Sequence, residues 1–179
     1  ACGNAVVVKP SHLIAMNKAD MFVQIGLSLE TAFVPGLLEG SRNPKIQPGK
    51  PGFVNCSDGW QAIEVPASLS RQSGDVHPQG NPHMNLDPGA GRQIAGRVLA
   101  ALEALDPASK DAYEKRYAAY AAKLALAEQR WASLGEQWKG QKVVGYHQEF
   151  NYLAQAYGLT IAGVIEVKPG IPPTPNHIA

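Results

Sequence analysis

Apolar positions in the first ninety residues come in short blocks separated by glycine and proline. Ser11 ahead of His12-Leu13-Ile14-Ala15-Met16 predicts a short helix capped by the serine hydroxyl. Residues 21–25, bounded by Asp20 and Gly26, form an apolar run suited to a buried parallel strand. Helix should follow over 27–38, interrupted at Pro35-Gly36, with further extended pieces at 52–55 and 62–65. Strand alternating with helix across short connections is the pattern of an α/β lobe.

The rhythm changes after Asp87-Pro88. A helix is predicted to run to residue 105, with Ile94, Val98, Leu99 and Leu102 on its apolar face. Asp106-Pro107 restarts the chain as cap and first-turn proline. Beyond them Tyr113, Tyr117, Tyr120, Leu124, Ala127, Trp131, Leu134 and Trp138 recur at alternating intervals of four and three, with Gly135 the one interruption. That spacing predicts one long amphipathic helix, about 48 Å from end to end at 1.5 Å per residue. Such a reach suits a strut against or between lobes; a coiled-coil seam is the alternative. After Gly140 the α/β pattern resumes, with strand over 142–146, helix over 147–157 and strand over 160–165. A stiff loop follows over 169–175, and a helix begins near His177. The expected organisation is an N-terminal lobe over 1–105, a linking helix over 106–139, and a C-terminal lobe that starts at 140 and is incomplete at 179.

Composition narrows the function classes. The 179 residues are 45% hydrophobic and 17% charged, and 16 Lys and Arg against 15 Asp and Glu leave a formal charge of +1. No window carries the dense basic run of a nucleic-acid footprint, so no nucleic-acid partner is expected. The 18 glycines and 14 prolines cluster over 35–52, 78–91 and 169–175, reading as ordered loops. No stretch approaches the roughly 20 apolar residues that cross a bilayer. Cys2 and Cys56 suit either a disulfide in an exported protein or two separate thiols. Ala1-Cys2-Gly3-Asn4 is similar to the junction at which a bacterial lipoprotein is cleaved and lipidated.

Histidine is the residue type that changes the picture most. Imidazole is a favoured ligand of zinc and its first-row neighbours, and the chain has histidines at 12, 77, 83, 147 and 177. His83 lies in Gly80-Asn81-Pro82-His83-Met84-Asn85-Leu86-Asp87-Pro88, a loop stiffened by proline and followed by helix. His147 follows an apolar strand, at the carboxyl edge of a sheet, where open α/β folds bind ligands. Their separation in sequence excludes a compact finger and allows a cleft assembled from two lobes. His77 precedes His83 by a tight Pro-Gln-Gly-Asn-Pro turn and is a further candidate; its alternative is a solvent-facing or supporting residue. Glu149 and Glu166 read as supporting carboxylates, Asp87 as a helix cap, Asn81 as a turn former, and His12 and His177 as structural.

Several words of the sequence resemble one family. Gly74-Asp75-Val76-His77-Pro78-Gln79-Gly80-Asn81-Pro82-His83 with Leu86-Asp87-Pro88 is similar to the central signature of the periplasmic solute-binding proteins that deliver zinc or manganese to ABC importers. Tyr146-His147-Gln148-Glu149-Phe150-Asn151-Tyr152 with Tyr157-Gly158-Leu159 resembles the second signature, and Gly163, Ile165-Glu166 and Lys168-Pro169-Gly170-Ile171-Pro172-Pro173-Thr174-Pro175 the third. The early region, with Pro10-Ser11, Lys18-Ala19-Asp20 and Gly26-Leu27-Ser28-Leu29-Glu30, is similar as well. The resemblance implies two Rossmann-like lobes on a long backbone helix, with a bare divalent ion bound in the cleft. It further implies a monomeric receptor, periplasmic or otherwise extracytoplasmic, with a lipid anchor as a variant, serving a membrane ABC permease. Residues matching the family's ligands are His83 and His147, and histidine at 147 favours Zn2+, with Mn2+ or Fe2+ as alternatives. The first family ligand should fall near Asn4, where no histidine stands, and the final carboxylate beyond Ala179; His77 is the nearest substitute. The first strand is expected to be missing as well.

Two other function classes compete with this one. A zinc hydrolase needs three ligands and a base beside an open position, and neither a His-Glu-x-x-His helix nor a Gly-x-Ser-x-Gly elbow occurs. A structural or interaction domain without tight metal binding is the stronger alternative.

Overall fold

The structure is a computed structural model, and it describes residues 7–68, 77–166 and 173–178. The chain begins with α1 (Pro10–Lys18), β1 (Phe22–Gln24), α2 (Val34–Ser41) and β2 (Phe53–Asn55). It continues through α3 (Ala90–Leu105), α4 (Lys110–Gly135), β3 (Lys142–Gly145), α5 (Asn151–Tyr157), β4 (Thr160–Val164) and α6 (Pro175–Ile178). Strands β1 and β2 pair in parallel with Val23 opposite Val54. β3 and β4 pair in parallel too, with an irregularity between Val143 and Val144. Each pair is joined through a helix, α2 in the first and α5 in the second, so the α/β class follows from the alternation along the chain.

Local chemistry moves several expected boundaries. Helix α1 starts at Pro10, whose ring presets the first-turn φ, and the Lys9 backbone N–H donates to His12 Nδ1 at 3.3 Å. Ser11 therefore sits inside the helix and is not its cap. The helix expected over 27–38 forms only as α2, because Gly26, Leu27 and Ser28 have φ of 93°, 52° and 66° and carry the chain through a left-handed turn. The Glu30 carboxylate fixes that turn by accepting from the N–H groups of Ile25 at 2.8 Å and Gly26 at 3.1 Å. Pro35 stands in the first turn of α2, so it opens the helix instead of interrupting it. Residues 62–65 are not a strand; Glu64 has φ of 56°, and Ile63 O accepts from the Asn81 N–H at 2.8 Å. Helix α3 ends where expected but starts at Ala90, after a 3-10 turn over Met84–Leu86. Asp87 Oδ1 caps Gly89 N–H at 2.7 Å. The helix expected from His147 starts at Asn151.

The long helix is realised as α4, about 39 Å at 1.5 Å per residue, with 3-10 turns over Pro107–Ser109 and Glu136–Trp138 at its ends. Leu124 buries against α3, where Gly91 leaves room for Leu124 and Tyr120. At the far end Gly135 lies so close to Tyr157 that a Cβ there would meet the ring at 2.2 Å. Trp138 stacks edge-on against the same ring, centroids 5.8 Å apart. The strut thus touches both halves.

Ile46, Met84 and Cys56 are fully buried in the first half. One core cluster crosses between halves: Leu27, Met84 and Ala90 enclose Tyr152 of α5, with Ile25, Trp60, Ile63 and Ile94 packed around. Among the described residues no helix is long and apolar enough to cross a membrane. Cys2, Asn4 and most of the 169–175 loop lie outside the described residues.

Candidate metal centre

Two rigid anchors bring His83 and His147 together. His83 directly precedes the 3-10 turn whose first residue, Met84, is fully buried. His147 lies in the turn between β3 and α5, and α5 is held by Tyr152, which is 2% exposed. The Tyr152 hydroxyl accepts from Ile63 N–H at 3.4 Å and donates to Asn81 O at 2.8 Å. One phenol therefore ties α5 to the loop at Ile63 and to the loop carrying His83.

The Nε2 atoms of His83 and His147 face each other at 3.3 Å, with ring centroids 5.0 Å apart and planes at 69°. Asn81, itself buried, spans the same seam: its Oδ1 stands 2.9 Å from His83 Nδ1 and 3.0 Å from the His83 backbone N. Its Nδ2 donates to Glu64 Oε2 at 2.8 Å and to Gln148 O at 2.6 Å. The other Glu64 oxygen accepts from Asn151 Nδ2. On the second side, His147 Nδ1 and Glu149 Oε2 are 3.7 Å apart, close enough for charge attraction and too far for a good hydrogen bond.

Burial pulls the His83 pKa down to about 4, and the neighbouring His147 and His77 add to the depression. The ring is neutral at pH 7 and keeps a lone pair to donate, the form a metal ligand needs.

His77 is placed differently. Its Nδ1 meets Ser28 O at 3.1 Å, and its Nε2 is buried with no hydrogen-bond partner among the described residues. Among those residues no three of His, Cys, Asp and Glu stand close enough together to hold an ion. His77 is not drawn up to the facing pair. His12 serves α1, and His177 Nε2 lies 2.8 Å from Val164 O, joining α6 to β4. In the sequence Asn81 reads as a turn former, and nothing local marks Glu64 or Tyr152 as residues of the site. Their partners are up to 89 residues distant, and the one local hint was a polar residue wedged between Gly80 and Pro82.

Residues 5–179 match the sequence model of a family described as "ZnuA: Zinc-uptake complex component A periplasmic". The chain is 29% identical over 162 residues to the zinc-binding lipoprotein AdcA of Streptococcus pneumoniae serotype 4, covering 90% of this chain and 32% of that protein. It is 28% identical over 171 residues to the manganese ABC transporter substrate-binding lipoprotein PsaA of Streptococcus pneumoniae, covering 94% and 53%. A crystal structure of ZnuA superimposes with a TM-score of 0.76 at 22% identity, over 98% of this chain and 62% of that one. The fold is shared along nearly the whole chain, while the chain spans between a third and about half the length of these two curated relatives.

Proposed function

We propose, since this chain belongs to the family of the periplasmic zinc-uptake component A, that His83 and His147 bind one divalent first-row ion as cargo to be handed to an ABC importer. The observation that carries the reading is the 3.3 Å separation of the two Nε2 atoms. Two imidazole nitrogens bound at about 2.0–2.1 Å to one tetrahedral ion stand roughly 3.3–3.4 Å apart. The pair is thus spaced for a shared ion before any ion arrives.

Zinc is the favoured cargo, because two neutral imidazoles match it better than manganese, which prefers oxygen ligands; iron stays an alternative. The halves that supply the two ligands are separate α/β units on one strut, consistent with an ion held at a seam and released when the seam opens. His77 remains the candidate third ligand, its Nδ1 on the Ser28 carbonyl and its buried Nε2 without a hydrogen-bond partner among the described residues. The reading is of a carrier with no chemical step, working outside the cytoplasm beside its permease, as a monomer.

Isothermal titration with zinc tests it on the full chain. Saturable uptake of one ion, lost in the His83→Ala/His147→Ala variant, is the expected result. Saturable uptake that the double variant keeps would put the ion at other ligands and overturn the reading, and none in the parent would leave a structural or interaction domain.

A further inference from the structure

The orientation of the Asn81 side chain is dictated by its neighbours. Its Nδ2 meets the Glu64 carboxylate at 2.8 Å and the Gln148 carbonyl at 2.6 Å, two groups that only accept. Turning the amide over would set Oδ1 against both oxygens and aim its NH2 at the His83 backbone N–H, itself a donor. Oδ1 therefore points at His83. An amide oxygen cannot donate, so His83 Nδ1, 2.9 Å away, carries the ring proton, and the Nε2 lone pair faces His147.

We propose that Asn81 is the positioning residue of this centre, holding His83 as its Nδ1–H tautomer through Oδ1 and the His147-bearing turn through Nδ2. The inference rests on the reading of His83 and His147 as ligands and adds the means by which they are aligned. One short side chain bonds both ligand-bearing segments, so ring orientation and the seam are set together. Glu64 completes the device. Its left-handed backbone, unusual for a residue other than glycine, is held while one carboxylate binds Asn81 on the first side and Asn151 on the second. Partners that orient a ligating imidazole typically change metal affinity by 10–100-fold.

The test compares the parent with Asn81→Ala and Asn81→Asp, reading the His83 ring nitrogens by 15N NMR without metal and zinc affinity by titration. The parent should show Nδ1 protonated and Nε2 unprotonated. Asn81→Ala should lose that preference and bind zinc about 10–100-fold more weakly. Asn81→Asp keeps an acceptor oxygen at His83 and loses both donors. It should retain the Nδ1–H tautomer with an affinity between the other two. An alanine variant that keeps the parent tautomer overturns the proposal, as does an aspartate variant that loses it. Should the alanine variant not fold, the aspartate variant decides: Nδ1–H retained with weaker zinc binding supports the role, and parent-level affinity contradicts it. A parent that takes up no zinc sinks the ligand reading, while the metal-free tautomer comparison still judges Asn81.

Discussion

The two halves of the molecule close their sheets in different ways. In the first, Val54 of β2 is buried with Cys56 and Ala101, and Ile46 sits fully enclosed with Val34 and Leu38. In the second, Val144 of β3 is 68% exposed, and Val143 and Ile165 stand at 36% and 41%. Parallel strands are normally covered on both faces, and a two-stranded sheet alone is marginal in water. Among the described residues, the second half is joined to the first by a side chain it inserts into the first half's core. That insert is Tyr152, whose ring lies in the cluster of Leu27, Met84 and Ala90 and whose hydroxyl bridges Ile63 and Asn81. The candidate metal centre lies on the same seam, with His83 in the first half and His147 in the second.

Removing the insert should have the largest effect. Tyr152→Ala deletes a buried aromatic ring, which typically costs about 3–5 kcal/mol, and should release α5 from the first half. Chemical denaturation would register the loss, and hydrogen exchange should show β3, α5 and β4 losing protection while β1 and β2 keep theirs. Equal loss in both halves would erase the contrast between them.

Acid should act on the seam more gently. The folded pKa of His83, about 4, lies below the ordinary 6.5, so between those values the unfolded chain takes up a proton that the folded chain refuses. This contribution to stability is complete above pH ~6.5, declines as the pH falls toward 4, and changes no further below that. The slope is at most about 1.4 kcal/mol per pH unit, and a total of about 1–2 kcal/mol is expected once solvent screening of this partly exposed ring is allowed for. Denaturation midpoints of the metal-free protein across that range, with His83→Gln as reference, should show the difference shrinking as the pH drops. A constant difference would remove the case for a desolvated imidazole.

What was legible in the sequence follows from the range of the forces involved. The apolar blocks announce β1 to β4 because a run of apolar residues is a local signal even where, as in β1, β3 and β4, no position ends up buried, and the four-three stripe announces α4 for the same reason. The start of α2 was misplaced because the turn before it is fixed by the Glu30 carboxylate folding back on Ile25 and Gly26, which no hydrophobic period records. The stripe on α4 also promised more burial than occurs: Leu124 is buried, whereas Trp131 and Leu134 are 41% and 49% exposed. His83 and His147 were picked out by the words around them. Their approach to 3.3 Å depends on Asn81, Glu64 and Tyr152, polar and aromatic residues that look ordinary in sequence and acquire meaning only across 17 to 89 residues.

The central claim is that one ion sits between the two facing imidazoles. X-ray absorption fine structure at the zinc edge of the zinc-loaded 179-residue chain tests it most directly. Two imidazole shells should appear at about 2.0–2.1 Å, one lost in His83→Ala and one in His147→Ala. A first shell made only of oxygen, unchanged in both variants, would contradict it.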